Sequence, residues 1–138
     1  MSLEIVSNLG GGEFFKPAEF EDAKALLLEP KSFDRQVPTP NYGPKDQVTT
    51  DITVFNTDLA LDTGVPDDVI YGAKIQQVAL VRSTKDIIGK GAVVTVGKGA
   101  AKPGQNAPWV FTPVDKDTQA KVVEYVKGRE ADLEDAPI

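Results

Sequence analysis

Between Ala92 and Thr112 the chain reads AVVTVGKGAAKPGQNAPWVFT, which gathers Lys98 and Lys102, Gln105 and Asn106, and Trp109 and Phe111 into a stretch with no acidic residue. Lysines carry the charge that phosphates attract, amides offer hydrogen bonds, and flat aromatic rings offer faces on which unpaired bases stack. That set suits a single-stranded nucleic acid. Val93, Val94 and Val96 form a β-branched run that Gly97 stops, and Pro108 opens a second extended segment through Trp109, Val110 and Phe111. The pattern predicts a hairpin with a long tip. With Val110 turned inward, strand alternation puts Trp109 and Phe111 together on the outer face, open for stacking.

Other chemistry is excluded by residue type. The chain has no cysteine and no histidine, which removes disulfides, thiolate or imidazole metal sites, cysteine nucleophiles and Ser-His-Asp catalysis. The loop GKGAAKPG is not a Walker A loop, because Gly-Lys is not followed by Ser or Thr opening a helix, and it lacks the third glycine and the helix of a dinucleotide fingerprint. The acidic pairs and runs, Asp67 with Asp68 and Glu19, Glu21 and Asp22, read as solvated surface rather than a cation site. No nucleophile sits beside a base. The expectation is a binding protein with no catalytic residues, no cofactor and no metal.

The formal net charge of -6 conceals a segregation. From Val69 to Pro113 the charged residues are Lys74, Arg82, Lys85, Lys90, Lys98 and Lys102 against Asp86, a net of +5, so the remainder carries -11. An acidic protein does not coat duplex DNA by bulk attraction, whereas a basic middle can meet phosphates locally. Lys74, Arg82, Lys90, Lys98 and Lys102 are the expected phosphate contacts. Lys45 adds to them from a proline-rich loop, QVPTPNYGPKD, that also displays Tyr42 as a stacking ring.

These side chains need a scaffold. Residues 1–22 read as an N-terminal arm, in which Gly10 to Gly12 precede the aromatics Phe14, Phe15 and Phe20. Ala23 to Arg35 predicts a long first strand bent at Pro30, since proline donates nothing to a ladder. Val48, Thr50, Ile52 and Val54 alternate with Thr49, Asp51, Thr53 and Phe55, a second strand with Phe55 on its outward register. Asn56 to Asp68 reads as a loop with one helical turn near Leu59, Val69 to Arg82 as a third strand interrupted at Gly72 and at Gln76 and Gln77, and Ser83 to Lys90 as a turn. The hairpin supplies strands four and five. Asp115 caps a helix from about Lys116 to Lys127 that Gly128 ends, and residues 129–138 form a disordered acidic tail. The fold class expected is mainly β: residues 23–128 as a five-stranded OB-fold-like barrel with a C-terminal helix, its two prominent loops joining strands one and two and strands four and five. A sandwich or an SH3-like barrel gives a similar pattern.

FFKPAEF, AKALLLEP, VTTDITVF, GAKIQQVALV and above all GKGAAKPGQNAPWVF resemble the single-stranded DNA-binding proteins of actinobacterial phages, which are OB-fold proteins. The resemblance implies a protein that coats and protects single-stranded DNA in phage replication or recombination, within the cytoplasm of the bacterial host. The tip DLEDAPI is similar to the acidic ends by which bacterial single-stranded DNA-binding proteins recruit replication and recombination proteins. That similarity implies partner contacts at Asp132, Leu133, Glu134, Asp135, Pro137 and Ile138, with Ile138 where the bacterial tips carry an aromatic. The start, MSLEIVSNLGGG, has neither a basic flank nor an apolar run long enough for a signal or a membrane span. A phage structural or protein-interaction module is the alternative reading, and an oligosaccharide-binding barrel a third. The sequence leaves monomer and homo-oligomer open.

Overall fold

The run Ala25-Leu26-Leu27-Leu28 has no period of two because both faces of the strand it opens are covered. The computed structural model of the protein describes residues 14–39 and 43–134, with side chains described as far as Arg129. At the centre lies β1 (Ala25–Val37), flanked by β2 (Lys45–Phe55) and β4 (Ala92–Lys98), with β3 (Asp68–Ile75) beyond β2 and β5 (Trp109–Pro113) beyond β4. Every ladder is antiparallel. Helix α1 (Asp58–Thr63) joins β2 to β3, α2 (Val78–Thr84) and a 3₁₀ turn at Lys85–Ile87 join β3 to β4, and α3 (Lys116–Glu134) follows β5.

Alternation along β1 sorts the core into two layers. Leu26 and Leu28 join Val48, Ile52, Val54, Ile75, Val94 and Val96 on one face, where Leu80 and Val81 of α2 and Phe15 of the N-terminal arm pack. Ala25, Leu27 and Phe55 face the other way, under Ala60 and Leu61 of α1 and Val122 of α3. Burying each such Leu, Ile, Val or Phe contributes about 1.5–3 kcal/mol. The bend expected at Pro30 is present: the β1–β2 register shifts between Pro30 and Ser32, and the Pro30 carbonyl accepts from Gly89 N at 2.9 Å.

Four expectations are corrected. First, the sheet is not closed into a barrel. It ends at β3 and β5, which no ladder joins among the described residues. β5 is five residues long and ends in Pro113, while the β3 edge is taken at Lys74 by the arm, whose Phe15 N donates to the Lys74 carbonyl at 2.8 Å. Phe15 then stacks on Phe20 at 5.3 Å and meets Phe111 of β5 at 5.8 Å, so side chains close a seam that hydrogen bonds leave open.

Second, Val69 to Arg82 is not one strand. β3 ends at Ile75, and Gln76 and Gln77 turn the chain into α2, whose Leu80, Val81 and Thr84 are buried at helical spacing. Within β3, Gly72 takes φ 70° at a register shift against β2, with its N–H on Asp51 Oδ1 at 3.0 Å, a conformation that glycine adopts without strain.

Third, Phe55 does take the face opposite Val48, Ile52 and Val54, as its register predicts, but that face is not outward to solvent. Phe55 is 1% exposed and meets Tyr125 edge-on at 5.5 Å.

Fourth, α3 runs through Gly128 to Glu134, so the chain is helical where a disordered tail was expected to begin. Asp115 caps α3 as expected, accepting from Thr118 N at 2.7 Å, and the Thr118 hydrogen bonds hold its carboxyl below the usual carboxylate range. A helical glycine costs about 1 kcal/mol. Here Arg129 offsets it by a two-point pair with Glu29 of β1, both contacts at 3.0 Å, which ties the helix down just beyond the glycine. Residues 135–138, and with them Asp135, Pro137 and Ile138, lie outside the described residues, as do the first thirteen residues of the arm. No described helix is long and apolar enough to cross a membrane.

Candidate nucleic-acid interface

The hairpin forms as the sequence suggests, and its register decides where its aromatics point. Val96 of β4 pairs with Phe111 of β5, and Lys98 with Trp109. Residues directly opposite in an antiparallel ladder project to the same face. Val96 is 3% exposed in the first core layer, so Phe111 and Trp109 turn toward that layer as well, against the expectation that they share an open outer face. Phe111 packs against the core beside Phe15 and is no stacking platform. Trp109, one pair further along, is half-buried at the rim of a cleft, and Lys98 Nζ sits 5.3 Å from its ring centroid. Such a cation over an indole is worth roughly 0.5–1 kcal/mol at an exposed site.

The cleft has a volume of about 650 Å³, within the range of about 300–1,000 Å³ usual for small-molecule sites. The arm supplies Phe14 to Ala18, the β1–β2 connection supplies Thr39, β2 supplies Lys45, β3 supplies Lys74, the turn after it supplies Gln76 and Gln77, and β5 supplies Trp109. Among the described residues that line it none is acidic, while three are lysines. Lys74 Nζ lies 5.7 Å from the centroid of Phe14, a ring 54% exposed. Gln76 Nε2 donates to Gln47 Oε1 at 2.8 Å, and Gln77 Nε2 to the Phe15 carbonyl at 3.2 Å.

Beside the cleft, the loop from Gly99 to Pro108 is pinched at its base by Gly99 N donating to the Pro108 carbonyl at 2.7 Å. A Cβ at position 99 would come within 3.2 Å of Val110 Cγ1, so glycine permits this close approach. Beyond the pinch Lys102, Gln105 and Asn106 are exposed.

The fold thus brings together Lys45, Lys74, Lys98 and Trp109 of the expected contacts and holds Lys102 on the adjoining loop. It does not bring in the rest. Arg82 is exposed on α2, and Lys90 lines a different hollow with Lys31, Glu29 and Arg129. Tyr42 lies outside the described residues. Phe14, Lys16, Gln76 and Gln77 were missed. The signal for the first two was the aromatic-basic cluster FFKP in the arm, whose partner edge on β3 no local pattern discloses. Among the described residues no cluster of three or more acidic side chains is placed to hold a metal ion. Comparison with protein-family models, with curated proteins and with solved structures gave no match to this chain.

Proposed function

We propose that the protein binds single-stranded DNA largely without sequence preference, laying it across the cleft and the β4–β5 loop. The observation that carries this reading is the cleft where Lys16, Lys45 and Lys74 meet Phe14 and Trp109, with Lys98 over the indole and no acid among the described lining residues. Lysines at several points along a groove suit a phosphodiester backbone, and half-exposed rings suit bases that are not paired to a second strand. Duplex DNA hides those ring faces. The strand order β3-β2-β1-β4-β5, with a helix between β3 and β4, supports an OB-type arrangement that is open at the β3–β5 seam. With the sequence resemblance, this favours protection of single strands during phage replication or recombination in the host cytoplasm. The C-terminal residues from Asp132 onward are the proposed recruiting segment for replication or recombination proteins.

Trp109, the single tryptophan, makes the test direct. Its fluorescence is followed on titration with oligo-dT and with a duplex of equal length, at two salt concentrations. Quenching by oligo-dT that weakens with salt, and a far weaker response to duplex, is the expected result. No change with either nucleic acid removes the reading, and a partner docking on the same cleft through apolar contact would show little salt dependence.

A further inference from the structure

Gln77 immediately precedes α2 and has extended backbone angles (φ -65°, ψ 129°), yet its side chain makes no capping bond to the helix. Its amide is turned to the arm instead. Because the Phe15 carbonyl can only accept, the nitrogen of the amide must face it, which fixes the identity of the other atom as the oxygen. That oxygen, Oε1, is the one buried side-chain polar atom left without a partner among the described residues. The contrast with its neighbour is informative, since the Gln76 amide is engaged by Gln47 in the same wall of the cleft. A buried acceptor with no protein donor is costly to leave unpaired, and a ligand that brings an N–H would answer it.

Resting on the single-stranded DNA reading, we infer that the cleft takes one unstacked nucleobase edge-first, with Gln77 Oε1 accepting an N–H from the base's pairing edge. Trp109 and Phe14, contributed from the two ends of the sheet, give the ring apolar surface, and Lys16, Lys45 and Lys74 meet the flanking phosphates. Gln77 lines the cleft while its Oε1 is covered, so this contact requires the amide to turn about its broad terminal torsion and release the long 3.2 Å bond to Phe15 as the base enters. A single acceptor is a tolerant reader. Thymine offers its ring N–H, adenine and cytosine their amino groups, and guanine both kinds, so the site demands a base without choosing among the four.

The test uses the full chain and the shortest oligo-dT that binds at full affinity, compared with the same oligonucleotide in which every thymine is methylated at N3. Methylation keeps the ring and the phosphates and removes the N–H. Affinity is expected to fall roughly three- to tenfold, the range of one net hydrogen bond. Gln77→Met, with its melting temperature checked against the parent, is expected to bind unmodified oligo-dT as weakly as the parent binds the methylated strand, and to treat the two alike. Equal binding of both strands by the parent protein overturns the inference while leaving single-strand binding intact. So does a methylation penalty that survives undiminished in Gln77→Met, because it would then arise from bulk elsewhere. Failure of the parent to bind oligo-dT at all removes both the inference and the reading beneath it.

Discussion

Trp109 has two contacts to lose, the core layer beneath it and the open cleft above it. Trp109→Ala is therefore expected to weaken single-strand binding by about 1–3 kcal/mol, the stacking increment for one base, and also to lower the melting temperature. Trp109→Phe should recover most of the stability and part of the affinity. Fluorescence anisotropy of a labelled oligonucleotide measures the first effect and a thermal melt the second; unaltered affinity in Trp109→Ala would take the indole out of the interface. The sequence placed Trp109 at the base of the hairpin but on the wrong face. Val94 and Val96 were legible as core by type, but the partner of each across the hairpin was not, because the length of the loop that sets the register cannot be read from GKGAAKPGQNAP. Once Val96 is opposite Phe111, the inward turn of both aromatics follows.

At the scale of elements, the N-terminal arm does more than flank the sheet. Phe15 is 4% exposed, bonded to β3 and packed on Phe111 of β5, so it spans the two unpaired edges. Phe15→Ala is expected to cost about 3–5 kcal/mol of stability, as for other buried Phe truncations, measurable by denaturant unfolding. A loss below 1 kcal/mol would mean that the arm leaves the seam readily. Helix α3 yields the opposite kind of prediction. Gly128 sits inside the helix with nothing within 4 Å of where a Cβ would be, so Gly128→Ala is expected to raise stability by about 0.8–1 kcal/mol, read as a higher unfolding midpoint with an unchanged slope. Local pattern made Gly128 a stop signal, because the tie that carries the helix past it joins Arg129 to Glu29, one hundred residues away. The same limit explains α2: Val78, Val81 and their neighbours look like strand by propensity, and only the packing of Leu80 and Val81 under the sheet makes them helical.

Over the whole molecule, a net charge of -6 coexists with a cleft whose described lining is basic because acids and bases occupy different places. Glu130, Asp132 and Glu134 belong to the last turns of α3, which packs on the sheet face opposite the one where Phe15 and Trp109 lie. Through Glu134 these acids belong to a helix and not to a free tail. What remains is a local set of lysines, proposed to meet phosphates, on a body of net negative charge. If Lys16, Lys45, Lys74, Lys98 and Lys102 each neutralise one phosphate, the logarithm of the single-strand affinity should fall with the logarithm of salt concentration at a slope near -3.5, about 0.7 per contact. Lys98→Ala with Lys102→Ala should flatten that slope by about 1.4 and weaken binding most at low salt, with a loss of stability no larger than the roughly 0.5–1 kcal/mol of the Lys98–indole contact, since both side chains are exposed. Arg82→Ala and Lys90→Ala, which lie away from the cleft, should leave the slope near the parental value. Slopes measured at several salt concentrations separate the two groups of lysines and arginine. Equal flattening in both would mean that the strand wraps the body instead of following the cleft.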